Sequence, residues 1–408
     1  MKHLLVEKFT DLIATLERFF KANYNRFSTP ESIAGEDKDI FNLACKIYKR
    51  GFLTLPELTL STPVDDRIEK MQLLTEFPPP LGSDLMEKSR KAFFLVDENF
   101  IKYHPIIENF YAFLPSETKK NLSTVKNILT VIPEQTDSIF VIGGGITLDI
   151  GGFIAGILNL PVHYLPTTLL SAVDAAIGGK TGVNFPPYGK NQIGLFYKSS
   201  SLYFTPKFLQ TLSQEEKLCG VIEAAKHAYL FGQFETDVLI LKKIISHKIS
   251  NEELAYLVNK NFYYKSKIVN LDPLEQNGIR GNLNFGHTLA HVLEFLAEEK
   301  YINKISHGIA VGHGIKFLFD FNFIPEKNNF LEFINEVLIH YSIQLKKEIK
   351  LEKIINLLLQ DKKNTNKEQC SLSLPAYGCY KDSAIKEFFA IKIGQDMLNY
   401  INASLNKC

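Results

Sequence analysis

The chain has 408 residues, and its 46 Lys and Arg against 45 Asp and Glu give a formal net charge of +1. This length predicts about two or three domains, and a near-neutral chain lacks the positive field of proteins that bind nucleic acids or anionic membranes. With 45% hydrophobic and 22% charged residues, the composition is globular and excludes wholesale disorder. The five cysteines form no CxxC pair, so we expect no disulfide framework, no zinc ribbon and a cytoplasmic location.

The first 20 residues place apolar side chains at helical spacing. Glu7 and Asp11 interrupt this pattern too early for the apolar core of a signal peptide. Residues 1–65 are therefore predicted to form a helical N-terminal extension, and they contain no catalytic signature.

Short apolar runs at 92–99, 137–145, 162–166 and 202–204 predict buried strands, and 120–129 predicts an intervening helix. Strand–helix alternation of this kind favours a parallel sheet with crossover connections. We place this α/β domain at residues 66–207.

An uncharged stretch separates Asp149 from Asp174 and resembles a membrane span in hydropathy. Pro161 and Pro166, together with neighbouring polar residues, divide it, so we expect a helix, a strand and a loop there.

Long segments of helical periodicity dominate from residue 208 to the end of the chain. They lie at 213–232, 234–249, 252–268, 287–299 and 309–321. Residues 208–408 are therefore predicted to form a second, mostly helical domain.

Glycine and polar residues cluster where the predicted strands end. Three glycines at 143–145 could bring backbone N–H groups close to a phosphate, or simply form a tight turn. Lys180 and Lys190 belong to a dense polar series that suits a phosphate or a sugar oxyanion.

Two histidines, His287 and His291, are four residues apart on a predicted helix, and His307 follows nearby. Imidazoles at this spacing point to the same side of a helix, which suits a metal ion or a pair of core histidines. The motif lacks the glutamate of a zincin, because position 288 is threonine. Glu223 and Lys226 share a helix face, as catalytic groups or as a salt bridge.

Taken together, these segments resemble the 3-dehydroquinate synthase and sugar phosphate cyclase family over about residues 90–385. The resemblance rests on GGGITLDIGGF, LPTTLLSAVDAAIGGKTGVN, GKNQIGLFY, GVIEAAKHA, IRGNLNFGHTLAHVLE and QDKKNTN, in this order. It implies a Rossmann-like dinucleotide-binding domain followed by a mostly helical metal-binding domain. It also implies bound NAD and a divalent metal, usually zinc with cobalt possible, a homodimer, and no nucleic-acid or membrane partner.

The resemblance also implies a role for individual residues. Glu223, His287 and His307 would be the metal ligands. Asp97, Asn99, Glu117, Lys120, Gly144, Gly145, Asp149, Thr167 and Thr168 would form the NAD site. Asp174, Lys180, Lys226 and His291 would be catalytic, and Lys190, Asn191, Lys265, Arg280, Asn284 and Lys362 or Lys363 would bind substrate.

The implied reaction converts 3-deoxy-D-arabino-heptulosonate 7-phosphate to 3-dehydroquinate and phosphate, within the shikimate pathway of aromatic amino acid biosynthesis. Transient oxidation by NAD acidifies a neighbouring C–H so that phosphate leaves; re-reduction and an intramolecular aldol step then close the ring. This chain departs from the family pattern at Leu158, where an arginine is usual, and at Ile309, where a glutamate is usual. A one-residue insertion in DPLEQNGIR leaves open whether Glu275 or Gln276 matches the family acid.

Three alternatives stay open at this point. The chain could be another sugar phosphate cyclase, of the 2-deoxy-scyllo-inosose or 2-epi-5-epi-valiolone synthase type, acting on a substrate without a carboxylate. It could instead be a metal-dependent NAD alcohol dehydrogenase, which would release NADH, or a non-catalytic paralogue.

Overall fold

The computed structural model describes residues 71–73, 91–103, 110–185, 190–324, 329–359, 368–382 and 385–403. The predicted helical extension at 1–65 lies outside these ranges. The chain divides into two compact units. The first, called the sheet unit here, runs to Thr167 and resumes over Ala175–Thr205; the second, the helical unit, comprises Thr168–Asp174 and Pro206–Cys408.

The described strands of the sheet unit are, in chain order, β1 (Met71–Leu73), β2 (Ala92–Asp97), β3 (Phe110–Phe113), β4 (Ser138–Gly143), β5 (Val162–Pro166), β6 (Lys180–Val183), β7 (Ile193–Phe196) and β8 (Ser201–Phe204). Six of them form one sheet in the order β3-β2-β4-β5-β8-β1, and every neighbouring pair is parallel. The predicted parallel sheet is therefore confirmed.

The direction in which the sheet grows reverses at β2. From β2 the chain adds β3 on one side and then β4 on the other. In open parallel sheets the carboxyl ends of the strands at such a switch point are where ligands bind. Asp97 ends β2 and Gly143 ends β4, so both lie at this edge of the sheet.

Within the described ranges, the sheet unit has the α-helices α1 (Glu98–Ile101), α2 (Leu122–Val131) and α3 (Gly145–Leu158). The uncharged stretch after Asp149 forms most of α3 and then β5, so the predicted helix and strand are confirmed. The predicted loop after them instead contains a π-helical turn at Ser171–Ala175. Asn159 ends α3 in the left-handed conformation, at φ 55°. Among the described residues, no helix is long and apolar enough to cross a membrane.

Two hairpins escaped prediction. β6 pairs with β7 in antiparallel fashion, and in the helical unit β9 (Gln369–Ser373) pairs with β10 (Ile385–Phe389). These strands have four or five residues each. In the middle of the β6–β7 pairing, Gly182 lies opposite Gly194. Such short strands give no usable alternation of polar and apolar side chains.

The helices of the helical unit are α4 (Gln214–Leu230), α5 (Phe234–Ile245), α6 (Asn251–Leu271), α7 (His287–Glu298), α8 (His307–Asp320), α9 (Asn329–Leu338), α10 (Leu351–Leu359) and α11 (Ala390–Ala403). The five predicted helices are confirmed as α4 to α8. Ser213 and Ser250 begin α4 and α6 with complete capping boxes. α5 ends earlier than predicted because His247 adopts the left-handed conformation at φ 57°.

Glycines allow α8 to approach its neighbours closely. A Cβ at Gly308 would overlap the backbone of Cys219 on α4. At Gly286, which begins α7 with φ 79°, a Cβ would lie 2.8 Å from the carbonyl oxygen of Val311 on α8. These contacts fix where α7 and α8 begin relative to α4.

We predict that Gly308→Ala destabilises the protein by about 1–3 kcal/mol, because the added methyl group must displace the backbone of α4. The matched control is Gly312→Ala on the same helix, where the new Cβ meets the side-chain ends of Ile222 and Leu338. Those ends can move, and alanine favours the helix. Urea denaturation of both variants gives the comparison; equal stability would contradict the role assigned to Gly308.

Candidate active site

The inner face of α4 carries three charged or titratable side chains in the interior of the helical unit. Glu223, Lys226 and His227 are 0%, 1% and 0% exposed. Buried charges are tolerated only when other charges or hydrogen bonds compensate them. Lys226 provides part of this compensation, since its Nζ pairs with Glu223 Oε2 and donates to the carbonyl oxygen of Leu283 at 2.7 Å.

Two histidines converge on the Glu223 carboxylate. His287 is the first residue of α7 and His307 is the first residue of α8. One potential ligand atom from each of Glu223, His287 and His307 lies within 4.8 Å of the other two. His287 Nε2 is 3.9 Å from Glu223 Oε1, an oxygen that receives no hydrogen bond from the described residues.

The outer nitrogens of both rings are held by hydrogen-bond acceptors. His287 Nδ1 lies 3.2 Å from the carbonyl oxygen of Phe285, and His307 Nδ1 lies 3.2 Å from Glu294 Oε1. Since these acceptors require a hydrogen on Nδ1, the neutral rings present their lone pairs at Nε2. Histidines that bind metals are oriented in this way by carboxylates and backbone carbonyls.

The electrostatic field around this group is negative. Burial alone would lower the pKa of His307, but the carboxylates of Glu294, Glu223 and Asp174 outweigh it and raise this pKa to about 9. A field that stabilises a proton on imidazole also stabilises a bound cation. One carboxylate and two imidazoles form the donor set of a catalytic divalent-metal site, and these three residues fit such an ion.

Asp174 lies beside this group and pairs with an ammonium group. Lys265 Nζ lies 2.8 Å from Asp174 Oδ1, and His227 Nε2 lies 3.6 Å from the same oxygen. Burial would raise the pKa of Asp174, but the ammonium groups of Lys265 and Lys226 hold it well below the usual value. Burial lowers the pKa of Lys265, and Asp174 opposes this effect only in part. Asp174 is therefore an anion paired with a buried ammonium group.

Arg280 is 2% exposed and follows a tightly organised loop. The buried Asp272 carboxylate accepts hydrogen bonds from the backbone N–H groups of Gln276 at 2.7 Å, Asn277 at 3.1 Å and Arg280 at 3.2 Å. One terminal nitrogen of Arg280 donates to the carbonyl oxygen of Pro273 at 2.6 Å. The loop thus fixes where the guanidinium group lies.

The insertion noted in the sequence falls within this loop. Glu275 takes the left-handed conformation at φ 54°, and its Oε1 accepts a hydrogen bond from Asn284 Nδ2 at 3.2 Å. Gln276 instead contributes its backbone N–H to Asp272. Of the two residues left open by the sequence, Glu275 is the one whose side chain contacts a predicted substrate-binding residue. His291 lies on α7 with its ring centroid 5.8 Å from that of His287.

In the sheet unit a second polar network joins residues distant in the sequence. Lys120 is 5% exposed, and its Nζ lies 2.5 Å from Asp149 Oδ2 and 2.6 Å from Asn191 Oδ1. Asn184 links the same region, because its Nδ2 donates to Glu117 Oε2 at 2.9 Å and its Oδ1 accepts from the N–H of Asn191 at 2.9 Å. Predicted NAD-binding and substrate-binding residues therefore share one network.

The remaining predicted nucleotide residues lie at the switch point of the sheet. Asp97 Oδ1 accepts from the N–H of Asn99 at 2.8 Å, and the N–H of Thr167 donates to the carbonyl oxygen of Gly143 at 3.0 Å. Gly144 is the N-cap residue of α3, and no side chain forms a capping hydrogen bond at this helix end. A glycine turn at an uncapped helix N-terminus, with an acid at the end of the neighbouring strand, fits a dinucleotide.

Four other predicted residues lie in the described ranges, and two lie outside them. Thr168 belongs to the helical unit, where its Oγ1 lies 2.8 Å from Ser171 Oγ. Lys180 begins β6 opposite Phe196, and Lys190 precedes Asn191 in the sheet unit. Gly145 is the first residue of α3. Lys362 and Lys363 lie outside the described residues.

Sequence reasoning missed four residues of these networks: Asn184, His227, Asp272 and Glu294. His227 was visible beside Lys226, but nothing in the pattern distinguished it from a core histidine. Asn184, Asp272 and Glu294 act through contacts between segments that only the fold brings together.

Comparison with known proteins defines the class first. The fold is that of sugar phosphate cyclases. A 2-deoxy-scyllo-inosose synthase, solved with carbaglucose-6-phosphate, NAD+ and Co2+, matches 81% of this chain and 96% of its own, with 20% identity and a TM-score of 0.63. The 2-epi-5-epi-valiolone synthase ValA from Streptomyces hygroscopicus, solved with NAD+ and Zn2+, covers the same shares with 19% identity and a TM-score of 0.61.

The sequence comparisons then give the family. The family models 3-dehydroquinate synthase N-terminal and C-terminal match residues 111–219 and 220–364. A 3-dehydroquinate synthase from Pelagibacter ubique is 38% identical over 275 residues, which are 64% of this chain and 73% of the relative. The chain belongs to the 3-dehydroquinate synthase family. It is a cyclase of that type, an enzyme of the phosphate-eliminating lyase class.

We predict that Lys120→Met destabilises the protein by about 2–3 kcal/mol, because it leaves the Asp149 carboxylate without its nearest cation. The side chain of Asp149 is 23% exposed, which keeps this cost below that of a fully buried pair. Lys119→Met at the exposed neighbouring position is the control, and it should change stability by less than about 0.5 kcal/mol. Urea denaturation of both variants provides the measurement.

Proposed function

We propose that this protein is a 3-dehydroquinate synthase that converts 3-deoxy-D-arabino-heptulosonate 7-phosphate to 3-dehydroquinate and phosphate. The observation that carries the proposal is the convergence of Glu223, His287 and His307, with Nδ1 of each ring held by an outer acceptor. The family membership supplies the reaction type. The domain bounds 66–207 and 208–408 stay predictions, as do a homodimer and a cytoplasmic location.

NAD is the proposed cofactor of the sheet unit. Asp97 and Asn99 would hold a ribose, and Gly144 and Gly145 would face the pyrophosphate at the N-terminus of α3. Glu117, Lys120, Asp149, Thr167 and Thr168 would complete the site. The network of Lys120 with Asp149 and Asn191 supports this proposal, since it gives the region a defined geometry before any ligand arrives.

Zinc is the proposed metal of the helical unit, held by Glu223, His287 and His307. Three protein ligands with nitrogen and oxygen atoms leave a coordination position for substrate, as in catalytic zinc sites. Cobalt accepts similar ligands, and elemental analysis of the purified protein distinguishes it from zinc. When bound, NAD would supply hydride transfer, and the metal held by Glu223, His287 and His307 would supply Lewis-acid polarisation of a substrate oxygen.

The protein side chains would position the substrate and balance its charges. Arg280, whose guanidinium is planar and held in place, is suited to the substrate carboxylate, and Asn284 would contact the substrate beside it. Lys265 and Lys226 would compensate oxygen atoms that gain negative charge. Asp174, an anion beside Lys265, would accept hydrogen bonds from substrate hydroxyl groups.

The phosphate group is the proposed ligand of Lys180, Lys190, Asn191 and Lys362 or Lys363, and His291 is assigned to the reacting end. Leu158, where the family usually carries an arginine, is the last residue of α3 and cannot supply a charge-assisted hydrogen bond. Such a bond contributes about 1.5–3 kcal/mol, so we expect weaker phosphate binding than an arginine would give.

Phosphate release from a panel of sugar phosphates tests the proposed function. The heptulosonate phosphate should release phosphate over many turnovers, while absorbance from free NADH stays flat because the hydride is returned. Sedoheptulose 7-phosphate and glucose 6-phosphate should not react, since neither offers a carboxylate to Arg280.

Each alternative gives its own result in this assay. Stoichiometric accumulation of NADH would indicate a dehydrogenase. Equal or faster turnover of sedoheptulose 7-phosphate would indicate a cyclase for carboxylate-free sugars and leave the family assignment standing. No phosphate release from any sugar phosphate would favour a non-catalytic paralogue.

We predict that His287→Ala abolishes both bound metal and turnover, because two remaining ligands hold a catalytic ion poorly. The control is His313→Ala. That residue is also buried, but its ring bonds to Tyr400 at 2.9 Å and to the carbonyl oxygen of Tyr341 at 2.7 Å instead of a metal site. Elemental analysis should find metal in the control alone, and full occupancy in His287→Ala would refute the ligand assignment.

A further inference from the structure

His227 is fully buried on α4 and has one nitrogen with a defined partner. Its Nδ1 lies 3.3 Å from Asn261 Oδ1, while Asn261 Nδ2 donates to the carbonyl oxygen of Leu257 at 3.0 Å. The second contact fixes which end of the amide faces the histidine. Since that end is an oxygen, His227 Nδ1 carries the hydrogen and the neutral ring has its lone pair at Nε2.

The lone pair at Nε2 faces an anion. Nε2 lies 3.6 Å from Asp174 Oδ1, and no described residue forms a hydrogen bond with Nε2. Burial lowers the pKa of His227 despite the opposing effect of Asp174, which keeps the imidazole neutral. Two acceptor atoms therefore face each other, and such a pair is stabilised by a hydrogen-bond donor that both can share.

The surrounding charges decide what kind of donor fits. One ligand atom from each of Asp174, Glu223 and His227 lies within 4.8 Å of the other two, a grouping that could suit a second cation. However, Lys265 Nζ lies 2.8 Å from Asp174 Oδ1, and Lys226 Nζ pairs with Glu223. Asp174 already has Lys265 as its ammonium partner, and Glu223 belongs to the proposed metal site. A second cation would be repelled by that ammonium group and by an ion bound in the first site, whereas a neutral hydroxyl group would not.

We propose that His227 Nε2 and Asp174 Oδ1 together accept the hydrogen of one substrate hydroxyl group, which makes His227 a specificity residue. This inference rests on the proposed function, because the substrate there is a polyhydroxylated sugar phosphate. Asn261 acts through His227 and is a positioning residue, since it keeps the hydrogen on Nδ1. The side chain of Asp174 is 28% exposed, so ligands have access to its carboxylate.

The test measures whether the contribution of one ligand hydroxyl group to binding affinity depends on His227. The probe is a phosphonate analogue of the heptulosonate phosphate, which cannot eliminate phosphate, together with its monodeoxy forms. Calorimetry gives their dissociation constants directly, so binding can be measured even for a variant without turnover. In the unchanged protein, removing the hydroxyl bound by His227 should weaken binding about tenfold.

His227→Phe keeps a flat ring of similar size but removes the acceptor. It should weaken binding of the full phosphonate severalfold. The difference in dissociation constant between the full compound and one monodeoxy form should shrink, and Asp174 Oδ1 accounts for what remains. His227→Gln offers an amide oxygen at a similar reach. It should restore part of the difference in affinity between the full compound and that monodeoxy form. Asn261→Leu should reduce the difference as well, because the hydrogen is then no longer fixed at Nδ1.

His313→Phe is the matched control, since it removes another buried histidine that bonds to Tyr400 and Tyr341. It should leave the ratio of dissociation constants between the full and monodeoxy compounds unchanged. A uniform loss of affinity for every analogue in His227→Phe would overturn the inference while the proposed function stands. If the unchanged protein fails to bind the full phosphonate, the proposed function fails and the inference fails with it.

Discussion

The arrangement of the helical unit depends on burying the Glu223 carboxylate in a helix that is enclosed on all sides. Moving an isolated carboxylate out of water costs several kcal/mol even after the protein relaxes, so the surrounding structure must supply positive charge. Lys226 supplies one such charge from the next turn of the same helix. It pairs with Oε2, and Oε1 is left facing the imidazole of His287. The carboxylate is thus half compensated by the protein, which leaves it ready for a divalent cation.

Close backbone contacts at glycines determine where the two histidines lie relative to this buried carboxylate. Both histidines stand at the first position of a helix, so their place depends on where α7 and α8 begin. Gly286 and Gly308 set those starting points by allowing backbone approach that any side chain would block. The outer acceptors, the carbonyl oxygen of Phe285 and the carboxylate of Glu294, then orient the rings. Backbone packing places the ligands, and hydrogen bonds aim them.

The sequence predicts much of the fold because its strands and helices have strong periodicity. The parallel sheet and helices α4 to α8 follow from apolar spacing alone. The β6–β7 and β9–β10 hairpins do not, because strands of four or five residues carry too little pattern. The grouping of Glu223 with His287 and His307 was available only through the family resemblance. Spacing suggested His287 with His291, whereas ligand atoms of His287 and His307 approach each other and Glu223.

Residues such as His227, Asn184 and Asp272 show why the rest could not be predicted. Each is an ordinary polar residue in the sequence. Each acquires its role from side-chain partners 34 to 67 positions away or from backbone groups that a loop brings together. Asn184 bonds to Glu117, 67 residues earlier. Asp272 gathers three N–H groups only because the loop after α6 folds back on it. Composition and periodicity carry no information about such contacts.

The contrast between Arg280 and Leu158 suggests where this protein would derive affinity and where it would derive selectivity. Arg280 is buried, and the Asp272 loop holds its backbone in place, so a ligand whose carboxylate fails to match it would forgo the proposed contact with a fixed guanidinium group. Such a mismatch discriminates strongly between ligands. At the proposed phosphate end, Leu158 stands where the family usually carries an arginine, and the proposed ligands Lys180 and Lys190 would bind phosphate as point charges with little directional demand. Selection would therefore act through the carboxylate and the hydroxyl groups, and the phosphate would contribute attraction that tolerates differences in ligand shape.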